Sequence, residues 1–180
     1  MITEIRHGKE ILAIILSHDF NEPGIHFLTP ASFSQQLAYM RHPAGKVIEA
    51  HVHNPVVRDT KNILEVLFLK RGRLRVDFFA ADQRYLESRI LEAGDVILLA
   101  SGGHGFEVLD EIEMVEVKQG PYAGDQDKTR FRALLPPQLN FGNGTHRTPR
   151  VEAKGHGDSN MGSSSSREAA IRQIAFSEAP

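Results

Sequence analysis

The chain has 180 residues, with 21 Lys or Arg against 23 Asp or Glu, so its formal net charge is -2 when His is neutral. Without excess positive charge there is no field to hold a phosphate backbone, and we expect no nucleic-acid partner. Cysteine is absent, which excludes disulfides, thiolate metal sites and a Cys nucleophile. Because no apolar run is long enough to span a bilayer and no leader precedes the first one, we expect a cytoplasmic protein with no membrane partner.

Short apolar and β-branched runs separated by turn residues fill the first 131 residues, with no helix-period segment longer than about two turns. This pattern predicts an all-β sandwich or barrel. The predicted strands are 10–16, 25–28, 36–41, 46–53, 63–70, 73–79, 85–91, 95–99, 105–109 and 111–118.

Turn residues predict where these strands reverse. Arg71-Gly72 predicts a hairpin, since Gly takes the positive φ of a tight turn, and further reversals are expected at 80–84 and 92–95. The strand that follows the first turn alternates polar and apolar residues, which places Leu74, Val76 and Phe78 on one face.

The composition changes after Phe131 to residues rich in Pro, Gly, Asn and Ser. We therefore expect a barrel domain over 1–131 and a low-complexity, mostly irregular and flexible tail over 132–180. Within that tail, the amphipathic stretch 167–176 either docks as a short helix or stays loose.

The strand 63–69 is apolar on both faces except at Glu65. One face of such a strand covers the core of its own domain, and the other is free to meet another subunit. The sequence therefore predicts a homodimer.

Four residues have the chemistry of a metal site. His51 and His53 are two apart in a predicted strand, so their rings project from the same face. His104 follows the strand 95–99, and an ionised Glu65 in its apolar strand needs a cation or hydrogen-bond donors. Together these side chains offer three nitrogens and one oxygen.

These residues stand in a pattern that resembles the cupin family: Gly45-x5-His51-x-His53, then Glu65-x6-Gly72, and Gly94-x5-Ala100-x-Gly102-x-His104. The resemblance covers residues 45–119 and is nearest to uncharacterised, small, single-domain bacterial cupins. It implies a double-stranded β-helix, or jelly-roll, barrel in which His51, His53, Glu65 and His104 bind one divalent ion, Fe, Mn, Ni or Zn. Eleven residues, 54–64, separate His53 from Glu65, so a long loop must return Glu65 to the site.

The resemblance implies a metal-dependent enzyme, an oxygenase or an isomerase, acting on a small molecule at open metal positions. Two alternatives stay open. One is a non-catalytic module that binds a metal or a sugar. The other is a sugar-nucleotide isomerase or epimerase that uses a His base without a metal.

Each candidate residue also has a plainer interpretation. The His51–His53 pair would then line the barrel as hydrogen-bonded imidazoles. Glu65 would pair with Arg73 or Arg75 across a hairpin, and His104 would lie in a surface turn.

Tyr39 and Arg41 alternate on a strand just before the His pair. They are candidates to bind an anionic or hydroxylated substrate, and an exposed edge strand explains them equally well.

Overall fold

The computed structural model describes residues 1–57, 60, 62–121 and 127–136. Every helix or strand in these residues is a β-strand, which confirms the predicted all-β class. No helix in the described ranges has the length and apolar character needed to cross a bilayer. In chain order the strands are β1 (Ile2–His7), β2 (Glu10–Leu16), β3 (Gly24–Phe27), β4 (Ala38–Arg41), β5 (Glu65–Phe79), β6 (Tyr85–Glu92), β7 (Val96–Leu99) and β8 (Gly103–Lys118).

Six of these strands form one antiparallel sheet in which β5 is central. The order is β1-β2-β7-β5-β6, with β8 on the other side of β5. The start of β5 pairs with β7 and its end with β6, while β8 pairs with β5 from end to end. The sheet curls into a half-barrel, and β3 and β4 form a separate two-stranded sheet. The jelly-roll topology stays a prediction.

The main core lies on one face of the large sheet, which we call the inner face. Leu67 and Leu69 lie on it at odd positions of β5, and Leu74, Val76 and Phe78 lie on it at even positions. All five are at most 3% exposed. The predicted shared face of Leu74, Val76 and Phe78 is confirmed. The switch from odd to even positions requires an extra residue between Leu69 and Leu74, which is what a β-bulge inserts.

The bulge lies at Gly72, where the sequence predicts a hairpin, and that prediction is wrong. β5 runs without interruption from Glu65 to Phe79, and its pairing with β8 shifts register three times between Leu69 and Leu74. Gly72 does have the expected positive φ, 83°. A Cβ at this position would lie 2.8 Å from the carbonyl carbon of Glu111 on β8. The glycine therefore permits a close approach of β5 and β8 within a bent ribbon. The two predicted strands 105–109 and 111–118 form a single strand, β8.

Two predicted reversals are confirmed and one predicted strand is not found. The turn after β5 is closed by the Ala80 amide donating to the Arg84 carbonyl, and the turn before β7 by Asp95 donating to Glu92. The predicted strand 46–53, which carries the His pair, has no regular structure and is exposed. The stretch 167–176, for which the sequence leaves a docked helix or a loose segment open, lies outside the described residues, as does the rest of the predicted tail from 137 onward.

Ion pairs join β5 to β8 along the bent part of the ribbon. Their distances run from 2.5 to 3.6 Å in the pairs Arg75–Glu107, Arg71–Glu111, Lys70–Glu113 and Arg73–Asp110. Arg75 also makes two hydrogen bonds to Asp77, and both side chains are buried. These bonds to Asp77 hold the pKa of Arg75 above its ordinary value, so the buried guanidinium stays charged.

Replacement of Gly72 by Ala should destabilise the fold more than the same change at Gly8. Both glycines have positive φ, but only Gly72 is packed against another strand, whereas a Cβ at Gly8 meets no atom within 4 Å. We expect Gly8→Ala to cost about 1–2 kcal/mol of unfolding free energy for the backbone strain alone. Gly72→Ala should cost a further 1–3 kcal/mol or so, because the ribbon must open. Urea unfolding of the two variants measures both, and equal losses would contradict the close approach at Gly72.

Candidate functional site

Two of the four predicted metal ligands meet on the inner face. His104, near the start of β8, lies with its Nε2 3.3 Å from Oε2 of Glu65, the first residue of β5. Glu65 is only 20% exposed and His104 30%. The structure therefore places this carboxylate and imidazole in a partly desolvated pair, as the charge of Glu65 in its apolar strand predicts.

The curl of the ribbon produces this contact. His104 is paired with Phe78, which is 13 positions after Glu65 on the same strand. In a straight strand these positions would be roughly 40 Å apart. Because β5 and β8 bend together at Gly72, the end of β5 returns towards its start. Glu65 and His104 then face each other across the hollow of the half-barrel.

The pair lines a cavity of about 1050 Å³ on the inner face. Apolar side chains of the sheet form part of its wall, among them Leu67, Leu99 and Met114. Residues 127–131, which we call the strap, line it as well. Phe131 of the strap stacks edge-on against Phe79 with ring centroids 5.2 Å apart. A Cβ on Gly103 would lie 3.2 Å from the ring of Phe131 and 3.2 Å from the Cβ of Phe79, so the missing side chain next to His104 makes room for the strap.

The charges around Glu65 keep its carboxylate ionised. Its hydrogen bond with His104 is the main reason that the pKa of Glu65 lies below its ordinary value, and the charges of His104 and Lys118 lower it further against the effect of burial. Lys118 Nζ lies 3.9 Å from Glu65 Oε1 and 3.2 Å from Glu116 Oε1. The bond to Glu116 raises the pKa of Lys118. Glu116, Lys118, Glu65 and His104 thus form a chain of polar contacts in the cavity.

His51 and His53 form a second, separate pair in the exposed segment between β4 and β5. Their ring centroids are 5.2 Å apart and nearly perpendicular. The Nδ1–H of His51 donates to the carbonyl of Glu49 at 2.9 Å, which leaves the Nε2 lone pair for a ligand. Within the ranges that the structure describes, no three His, Asp or Glu side chains are gathered closely enough to hold a metal.

Tyr39 and Arg41 lie outside the cavity that contains Glu65 and His104. Both are on β4, in the two-stranded sheet. The ring of Tyr39 packs edge-on against Phe20 at 4.9 Å, and Arg41 donates to the carbonyl of Asn21. In this arrangement both residues hold the segment before β3 in place.

Sequence reasoning missed the polar residues that β8 contributes to the cavity. Met114, Glu116 and Lys118 alternate along the strand and line the same cavity. Two charged residues at successive positions of one face are a visible pattern, but the sequence alone does not tell which face is inner. Instead of the alternative pairing of Glu65 with Arg73 or Arg75, the described ion pairs join Glu65 to His104 and Lys118, Arg73 to Glu92 and Asp110, and Arg75 to Asp77 and Glu107.

Comparisons of the chain with protein-family models, with curated proteins and with solved structures find no match. A relationship to cupins therefore stays a prediction from the two histidine elements and Glu65.

Replacement of Glu65 by Gln should reduce stability in a pH-dependent way. The pKa of Glu65 is lowered in the folded state, so its ionised form stabilises the fold fully above the ordinary value of 4.5. That contribution is lost as the pH falls through the lower, folded-state pKa. We expect Glu65→Gln to cost about 1–3 kcal/mol at pH 7, as for a hydrogen bond to a charged group, and less at pH 3.

Urea unfolding of wild type and variant at both pH values measures this difference. Glu22→Gln is the control, because Glu22 is exposed. A loss of stability in Glu65→Gln that is the same at pH 7 and pH 3 would contradict the role of the ionised carboxylate.

Proposed function

We propose that this chain is a cupin-type barrel that binds a small molecule in the inner-face cavity, with Glu65 and His104 as its reactive pair. The observation that carries the proposal is the 3.3 Å contact between these side chains in a cavity of about 1050 Å³. Ligand pockets are typically concave and mostly apolar, with a few convergent polar groups. A cytoplasmic location and a reaction on a small organic substrate remain part of this proposal.

The pair has the groups needed to move a proton. An imidazole that hydrogen-bonds a carboxylate is held in one orientation, and its ring nitrogens can accept and donate a proton. A ligand in the cavity would present a hydroxyl or carbonyl to His104, with Glu65 as the orienting group. Among the reactions that the resemblance implies, this chemistry favours isomerisation, which needs only proton transfer.

Ligand binding tests this function. Differential scanning fluorimetry with sugars, sugar phosphates and hydroxy acids should identify compounds that raise the melting temperature of the wild type, since a ligand that binds only the folded state stabilises it. The shift should be lost in His104→Ala. It should be retained in Glu113→Gln, which changes an exposed carboxylate that does not line the cavity. A ligand-induced shift that survives in His104→Ala would place binding elsewhere.

A divalent metal held by His51, His53, Glu65 and His104 is the second candidate. The two observations in its favour are the juxtaposed rings of His51 and His53 and the available Nε2 of His51. Three imidazoles and one carboxylate suit a borderline divalent ion, which would act as a Lewis acid when bound. In the described residues the four donors stand as two pairs, and the proton transfer proposed above uses the side chains of Glu65 and His104. The 12 positions from His53 to Glu65 are chain enough for roughly 40 Å, so length does not keep the pairs apart.

Metal titration separates the two candidates. If one ion joins both pairs, the wild type binds one equivalent of Co²⁺, and stoichiometric binding is lost in both His51→Ala/His53→Ala and Glu65→Gln/His104→Ala. The control His7→Ala removes a histidine of β1 and should bind Co²⁺ as the wild type does. The d–d absorption of Co²⁺ during titration measures the stoichiometry. Full binding by the His51→Ala/His53→Ala variant would contradict a shared centre, and a wild type that binds no Co²⁺ would leave Glu65 and His104 as a metal-free pair.

A further inference from the structure

An apolar patch is exposed on the face of the sheet opposite the cavity, which we call the outer face. Four side chains form it as two directly opposed cross-strand pairs, Val66 with Val117 and Phe68 with Val115. Phe68 is 41% exposed, Val115 47% and Val117 55%. Residues of one strand alternate between faces, so these four lie behind the cavity residues Glu65, Leu67, Glu116 and Lys118.

The neighbouring part of the outer face is covered by the chain itself. Leu98 of β7 is fully buried there, in a cluster to which Phe33 and Leu37 contribute. That cover extends to Val66, which is half-buried, and leaves Phe68, Val115 and Val117 exposed. The outer face is therefore apolar over three neighbouring strands, and in the described residues only part of it is packed.

The charges at the border of the patch indicate which kind of partner it fits. Lys70 follows Phe68 on the outer face, and its Nζ lies 3.5 Å from the Glu113 carboxylate on β8. Glu113 also lies 3.7 Å from Nη1 of Arg71, so charges of both signs stand side by side here, and all three side chains are more than half exposed. A two-fold axis that runs along β5 and β8, between them, would bring Lys70 of one copy against Glu113 of the other and Phe68 of one against Val115 of the other. A surface with charges of both signs next to an apolar centre is complementary to itself.

We infer that Val66, Phe68, Val115 and Val117 form the contact surface for a second copy of this chain, with Lys70 and Glu113 as reciprocal ion pairs. The isologous dimer covers the outer face of the same two strands that hold Glu65, Glu116 and Lys118 on the inner face. The predicted homodimer thereby gains a specific surface, which is independent of the proposed ligand site.

Sedimentation equilibrium of the full chain at 1–100 µM tests this surface. The wild type should sediment as a dimer, at twice the chain mass of 20.1 kDa. Val115→Lys/Val117→Lys should raise the dissociation constant about 100-fold or more, because it buries two charges at the centre of the contact. Ile90→Lys, which changes an exposed apolar residue of β6 outside the patch, is the matched control and should stay dimeric.

A charge exchange tests the reciprocal ion pair without inserting charge into the apolar centre. Lys70→Glu should weaken the dimer about tenfold or more, and Lys70→Glu/Glu113→Lys should restore it, because the two-fold contact is regenerated with the signs exchanged. Far-UV circular dichroism confirms folding of each variant. A monomeric wild type at 100 µM, or a Val115→Lys/Val117→Lys variant that dimerises as the wild type does, would overturn the proposal.

Discussion

The close approach of β5 and β8 at Gly72 is the constraint on which the rest of this structure depends. A 15-residue strand and a 16-residue strand paired from end to end would form a long, gently twisted ribbon if their register were regular. The register shifts between Leu69 and Leu74 bend that ribbon, and the buried residues of β5 change from odd to even positions across the bend. As a result Leu67 and Leu69 on one side of the bend share a core with Leu74, Val76 and Phe78 on the other. Any side chain at position 72 would hold the strands apart.

The same bend explains why a polar site and an apolar core occupy one face. Side chains near the middle of the ribbon point into the half-barrel and are buried, whereas Glu65, Lys118 and His104 lie at its ends, where the hollow opens. A charged side chain at one end of the ribbon keeps partial access to water, and the bend brings it into contact with a polar side chain at the other end. On a straight ribbon Glu65 would keep its cross-strand neighbour Lys118, but His104 would be out of reach. The fold thus supplies the partner that a carboxylate in an apolar strand requires.

The local sequence pattern was sufficient to predict those features that depend only on residues close together in the chain, namely a buried strand face and a turn. The alternation of Arg73 to Phe79 predicted the buried face, and Ala80 to Arg84 predicted its turn, because side-chain period and turn chemistry are set within a few residues. Gly72 shows where such reasoning ends. A glycine with positive φ between two apolar runs fits a hairpin and a bulge equally well, and only the partner strand β8, some 40 residues later, decides between them. The cupin-like spacing implied that Glu65 and His104 converge on one metal ion, whereas their direct contact and the residues that accompany it, Glu116 and Lys118, depend on the bend and the register of β8 and were not predicted.

The charged and apolar residues of β8 differ in what they contact and in the kind of association they allow. Most acidic residues of β8 form ion pairs with cations of β5 and so hold the ribbon together. In the described residues β8 pairs on one side only, and charges along its other side oppose the addition of another strand. Val115 and Val117 follow most of this acidic stretch, and their exposed side chains lie on the outer face. Charges along the strand edge and apolar side chains on the face together favour association through the outer face at that end. It would stiffen the strands that carry Glu65 and Lys118 from behind, while the cavity on the inner face stays open to a ligand.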